Sequence, residues 1–217
     1  MKRIGLHAGW LAGAVFLVAL LAIAALTPGY RHAQQPVSFL GMAGMPLAAG
    51  WNLFGFIVPG LLVAWFAWSL QAPLRRDDAG ALVRIGAWLL LISGLAFAGN
   101  GVFAYDFAAP DGPASKLHVA MLTIALLAFL PSALLLALGL RSRPGWRALR
   151  TGGALLAAAT LLSVFQRMAD LVPALQDSPG YAQRITLALY FLWLALAARV
   201  ALRSGCNRAS RVGERPD

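Results

Sequence analysis

Residues 119–140 read VAMLTIALLAFLPSALLLALGL, and the seven residues that follow read RSRPGWR. Twenty-two residues pass without a charge and then meet three arginines. As a helix rising 1.5 Å per residue, the run covers about 33 Å, enough for the roughly 30 Å hydrocarbon core of a bilayer. No water in that core can satisfy a peptide N–H or C=O, so the run must cross as a helix. Pro131 inside it is tolerable because neighbouring helices can re-satisfy the carbonyl it frees.

Five further stretches have this character: 10–27, followed by Pro28-Gly29; 53–70, with Pro59-Gly60 inside it; 85–104; 152–172; and 185–202. The stretch 152–172, fifth along the chain, differs in carrying Gln166, Arg167 and Asp170 in its last third. Composition agrees with membrane residence, since 60% of the chain is hydrophobic and only 12% charged, whereas soluble domains run near half and a quarter. The expected fold class is all-α, a polytopic transmembrane bundle of six helices. It forms a single domain over residues 1–203, and a basic tail over 204–217 reads as disordered.

The net charge of +10 would suggest nucleic acid in a soluble protein. Here the basic residues sit at the ends of apolar runs, with few aromatics between them and no nucleic-acid motif, so nucleic acid is not an expected partner. Their placement sets orientation instead. With the N-terminus inside, one side holds Lys2, Arg3, Arg75, Arg76 and Arg84, then Arg141, Arg143, Arg147 and Arg150, then Arg199, Arg203, Arg208, Arg211 and Arg215. The other side keeps Arg31, Lys116, Arg167 and Arg184. Positive-inside bias therefore puts both termini in the cytoplasm, and the expected location is a bacterial cytoplasmic (inner) membrane, crossed several times. Lys2-Arg3 before an apolar run, with Ala22-Ile23-Ala24 resembling a cleavage site, also fits a signal peptide; the run exceeds a usual signal core, so it is read as a retained span. Cys206 is the only cysteine, which excludes an internal disulfide.

The longest connection runs from Pro28 to about Asn52. Pro28, Gly29, Pro36, Gly41, Gly44, Pro46 and Gly50 oppose a continuous helix there. Val37, Phe39, Leu40, Met42, Met45 and Leu47 oppose free solvation, so the segment should fold back over the outer mouth of the bundle.

Polar residues that burial in lipid does not explain gather toward that mouth. Ser163, Gln166, Arg167 and Asp170 follow the spacing i, i+3, i+4, i+7 and share one helical stripe, which Thr160 extends inward. Charged groups at such depth face a bundle interior or a watery cavity. Asn100 and Asn52 are candidates for hydrogen bonds to other helices, each worth roughly 1 kcal/mol. Asp106 closes the third span and His118 opens the fourth, so the two are weak candidates for an acid–base pair. Adding His32 gives a nominal His/His/Asp set, but without a metal-ligand spacing, and no metal is expected. Ser38 lacks the elbow of a nucleophilic serine and reads as a loop-fixing hydroxyl; His7 reads as interfacial. No phosphate loop, Cys-x-x-Cys or nucleotide motif occurs, so no cofactor is expected.

Pro36-Val37-Ser38-Phe39-Leu40-Gly41 after the first span and Trp51-Asn52-Leu53-Phe54-Gly55 opening the second resemble the bacterial and archaeal six-helix membrane family of domain of unknown function 998. Asp106, His118, Gln183-Arg184 and Trp193 extend the resemblance over nearly the whole chain. It implies the six-helix fold. More distantly the chain resembles eukaryotic six-helix membrane proteins of lipid-anchor remodelling, which implies lipid handling. The expected function is to bind or move a lipid or small amphiphile in an outward-facing polar pocket. Candidates for its lining are Ser38, Asn52 and Asn100 from the first three connections and spans, Asp106 and His118 from the second outer loop, and Gln166, Arg167, Asp170 and Arg184 beyond. Membrane lipids are the expected partners, with a membrane-protein partner or a second copy open. Two alternatives stand beside this: an intramembrane hydrolase or transferase acting on a lipid headgroup through His118 and Asp106, and a non-catalytic assembly or regulatory subunit.

Overall fold

The computed structural model describes residues 3–76, 80–169 and 172–212. Six long helices account for most of them, and no strand occurs among the described residues. Helix α1 spans Ile4–Ala25 and gives way to Pro28-Gly29. Gly29 adopts a φ of 75°, in the left-handed region where a side chain would clash. Helix α2 covers residues 48–76: α-helical over Ala48–Trp51, a π turn over Asn52–Ile57, then α-helical over Val58–Arg76. The π turn ends beside Pro59, which has no N–H to offer the Gly55 carbonyl. The ladder changes register just ahead of it, and the Val58 N–H reaches back five residues to the Leu53 carbonyl.

Helices α3, Ala81–Val102, and α4, Pro113–Gly139, both start after an extended glycine, and α4 has proline in its first turn, where a missing N–H costs nothing. Helix α5 covers residues 149–169, a π turn over Leu149–Gly153 leading into Ala154–Ala169. Helix α6 spans Pro179–Val212. One-turn helices at Val37–Gly41, Pro144–Trp146 and Pro173–Gln176 lie in the connections.

Five helices are long and apolar enough to cross a membrane, and α5 carries a shorter apolar stretch, Leu149–Phe165. The protein is thus an all-α, multi-pass membrane bundle. Some boundaries move relative to the sequence expectation. Helix α2 begins at Ala48, so Trp51 and Asn52 belong to it and not to the preceding connection; the Trp51 N–H already bonds the Leu47 carbonyl at 2.9 Å. Helix α6 starts six residues before Ile185, with Pro179 as its first residue, where a missing N–H costs nothing. It also continues past Leu202 to Val212, into the tail read as disordered, carrying the α6 ladder on through the weak helix formers Gly205 and Asn207.

The helices form a ring in which each packs on its neighbours in sequence and α6 closes on α1. Connections 26–47, 103–112 and 172–178 lie at one end, here the loop end. The start of α1, connection 140–148 and the C-terminal part of α6 lie at the other, the tail end. Aromatic rings fill the centre: Tyr190 stacks on Phe97 at 5.8 Å and 10°, and meets Phe129 edge-on at 4.7 Å. Buried hydroxyls join helices across the same region. Ser93 Oγ donates to the Ala125 carbonyl at 2.8 Å and lies 3.1 Å from Tyr190 OH, and Ser132 Oγ donates to the Gly86 carbonyl at 2.7 Å.

In lipid, apolar burial between helices brings no net gain over contact with lipid tails, so close packing must hold the bundle. Helices α2 and α3 meet backbone to backbone: a Cβ on Gly60 would lie 2.6 Å from the Gly94 carbonyl, and one on Gly94 would lie 2.6 Å from Ala64 N. Neither neighbour is a flexible side chain. Gly94→Ala should therefore destabilise the bundle by about 1–3 kcal/mol, read as a lower thermal midpoint in detergent. Gly50→Ala, whose added methyl meets only Ile23 Cδ1 at 3.9 Å, should be neutral or stabilising.

Candidate functional site

At the loop end, the segment before α2 is pinned to the start of α6. Its backbone is too irregular to satisfy itself, so α6 supplies partners. Gln183 Oε1 accepts from the Val37 N–H at 2.7 Å, and the Gly180 N–H donates to the Ala33 carbonyl at 2.7 Å. Gly180 permits this approach, since a Cβ there would lie 2.4 Å from the His32 carbonyl. Val37 and Leu40 are buried, as is Ser38. Asn52 fastens the segment's other side, its Nδ2 donating to the Gly41 carbonyl at 2.9 Å.

Arg184 completes the clamp. Its guanidinium donates to the Gln35 carbonyl at 3.0 Å, to the Gly180 carbonyl at 2.8 Å and to Tyr30 OH, and it sits over the Tyr30 ring. Its Nε is buried without a hydrogen-bond partner. All of these partners are neutral, so among the described residues no carboxylate answers its charge. The charge is felt locally. His32 is held below its ordinary pKa of 6.5 by burial first and by Arg184 second. Burial raises Tyr30 above its ordinary 10.0, against the pull of Arg184.

Arg184 and His32 stand at the loop end of a groove of about 550 Å³ along the seam between α1 and α6. Small residues open it: Gly13 and Ala14 on α1, Ala188 and Ala195 on α6. Phe16, Leu17, Leu20 and Leu21 face Phe191 and Leu192 across it, and Trp10 lies toward the tail end. The groove is apolar along its length and cationic at one end.

The other candidates fall elsewhere. His118 Nδ1 lies 2.8 Å from the Phe103 carbonyl and 3.1 Å from that of Asn100. Two acceptors require the proton on Nδ1, so His118 caps the carbonyl end of α3 from α4, satisfying groups that a helix terminus leaves open. Asp106 is occupied separately: its Oδ1 accepts from the Ala108 N–H at 2.9 Å, and its own N–H donates to Ser115 Oγ at 3.0 Å. No hydrogen bond joins Asp106 to His118. Asn100 does not reach another helix through its side chain. Its Nδ2 bonds the Ala96 and Phe97 carbonyls of α3, and its Oδ1 is buried without a partner.

Ser163 does face the interior, donating to Thr186 Oγ1 of α6 at 3.0 Å, with Thr160 fully buried beside it. The rest of that stripe, the side chains of Gln166 and Arg167 and all of Asp170, lies outside the described residues. Among the described residues no three His, Cys, Asp or Glu side chains form a group that could hold a metal, and His32, His118 and Asp106 do not assemble.

Two signals for the groove were present in the sequence. Gly5, Gly9 and Gly13 recur every four residues on α1, a small-residue face of the kind that lets helices approach. Tyr30, directly after Pro28-Gly29, marked the loop residue that Arg184 needs.

The chain belongs to the family described as Protein of unknown function (DUF998). Its model matches residues 10–200, which takes in α2 to α5 and the larger parts of α1 and α6. No curated protein and no solved structure matches the chain. For this DUF998 member the groove and its cation are therefore the features on which a functional reading stands.

If His118 is a helix cap, His118→Ala should cost about 1–3 kcal/mol by stranding two carbonyls, and His118→Gln should recover part of it. In a double-mutant cycle with Asp106→Asn the two changes should add within about 0.5 kcal/mol. A coupling well above that would mean that the two side chains act as a pair.

Proposed function

We propose that the protein binds an anionic lipid or similar amphiphile in the seam between α1 and α6. One chain lies along Leu17, Leu20, Phe191 and Leu192, and the headgroup meets Arg184 beside His32. The observation that carries this is the pairing of a laterally open apolar groove with a half-buried arginine at its end. An arginine offers planar, multiple donors to phosphate or carboxylate oxygens. In a bilayer the groove's apolar walls give little selectivity, because the surrounding tails are equally apolar. Discrimination must then lie at the headgroup, where a charge-assisted hydrogen bond contributes roughly 1.5–3 kcal/mol.

The bias of fourteen basic residues toward the tail side supports a loop end facing away from the cytoplasm. In a bacterial cytoplasmic membrane, the ligand would then enter from the outer leaflet. The alternative of headgroup chemistry by His118 and Asp106 lacks the hydrogen bond it requires.

Native mass spectrometry of protein released from vesicles of mixed phosphatidylglycerol and phosphatidylcholine tests the proposal. The wild type should retain phosphatidylglycerol selectively, and Arg184→Gln should lower that retention by at least about tenfold. Because Arg184 also clamps the loop, Ala188→Phe provides a second arm: it narrows the exposed groove while keeping Arg184 and its hydrogen-bond partners in the chain, and should also reduce retention. Equal retention of both lipids by the wild type, or unchanged retention in Ala188→Phe, would overturn the reading.

A further inference from the structure

The α1–α6 seam does not end with the first groove. Toward the tail end it opens into a second hollow of about 560 Å³, lined by His7 and Trp10 of α1 and by Ala195, Arg199, Leu202 and Arg203 of α6. Trp10 and Ala195 line both hollows, so the two adjoin along the seam. Arg199 and Arg203 are 15 and 19 residues beyond Arg184 on one helix, which places their backbone positions about 22 to 29 Å along its axis. That separation approaches the hydrocarbon thickness of a bilayer, roughly 30 Å. The seam thus carries cations near both membrane surfaces, with no charged residue lining it between them.

The tail-end hollow has further features of a headgroup site. Arg199 and Arg203 are one helical turn apart, so both guanidinium groups can reach one anion from the same face. Trp10 Nε1 donates to His7 Nδ1 at 3.1 Å, and the rings meet edge to face. With Nδ1 serving as acceptor, neutral His7 carries its proton on Nε2 and can donate from there. Tryptophan at this depth is suited to the headgroup level of a bilayer. The described carboxylates, Asp106, Asp111 and Asp177, all lie at the loop end, so among the described residues nothing acidic competes for this hollow.

We propose that the tail-end hollow is a second site, for an anionic phospholipid of the opposite leaflet, seated end to end with the first along one bilayer-spanning seam. It extends the lipid reading given above, but its occupancy depends on Arg199, Arg203 and His7 and not on the Arg184 clamp.

The test is to count lipids retained by full-length protein released from phosphatidylglycerol/phosphatidylcholine nanodiscs. The wild type should hold two phosphatidylglycerol molecules. An Arg199→Gln/Arg203→Gln variant should hold one, and Ala188→Phe should also hold one, from the opposite end. Combining the changes should leave none. These outcomes separate the two sites: loss only in Ala188→Phe would refute the tail-end site and keep the first. Loss only in the arginine double variant would refute the first and keep the second. Arg199→Lys/Arg203→Lys should restore part of the occupancy; failure of that rescue, or displacement of the lipid by inorganic phosphate, would count against a phospholipid headgroup site.

Discussion

Every peptide group placed in hydrocarbon must find its partner within the protein, and the rest of this structure follows from that demand. It makes the six apolar runs helices, and it also governs where they stop. The carbonyls at the end of α3 are met by His118 from α4. The irregular segment before α2 is met by Gln183, Arg184 and Gly180 from α6 and by Asn52 from α2. Even the π turn ahead of Pro59 is a local answer to a missing donor. Side chains that look chemically active in the sequence are largely spent on backbone.

The same demand explains why the cation at the seam exists. Arg184 is needed to hold the Gln35 carbonyl and the Tyr30 hydroxyl of the loop, and its partners are all neutral oxygens. It therefore ties down the loop while keeping its charge unmatched among the described residues. Directly below it, small residues on α1 and α6 leave a trough that neither helix fills. The trough follows from tight packing further in: Gly9 and Gly13 bring α1 so close to α6 that only the outer shoulders of the two helices remain apart.

The fold was readable from the sequence because a long uncharged run has one solution in a membrane. Each of the six long helices overlaps one of the runs, and even the weaker character of the fifth, where charge intrudes near Gln166 and Arg167, reappears in its shorter apolar stretch. Helix starts were less readable. Pro179 and Gly50 look like breakers, yet one opens a helix and the other sits within one. The site was least readable, because polarity identifies which residues need partners without saying whether the partner is backbone or ligand. His118, Asn52 and Asn100 found backbone, Ser163 found Thr186, and of the described residues singled out for a pocket only Arg184 lines the groove. The groove itself is made by absent side chains, which a search for polar residues passes over.

The closure of α6 on α1 is what creates the seam, and a cross-link tests it most directly. An ideal Cβ on Gly9 lies 2.9 Å from Ala198 Cβ, so a small adjustment brings cysteines at the two positions within disulfide reach. In a Cys206→Ser background, Gly9→Cys/Ala198→Cys should oxidise in native membranes to an internally linked chain with altered, reductant-sensitive gel mobility. Absence of that link, with efficient linkage of Gly9→Cys to a position on α4 instead, would contradict the ring and remove the seam with it.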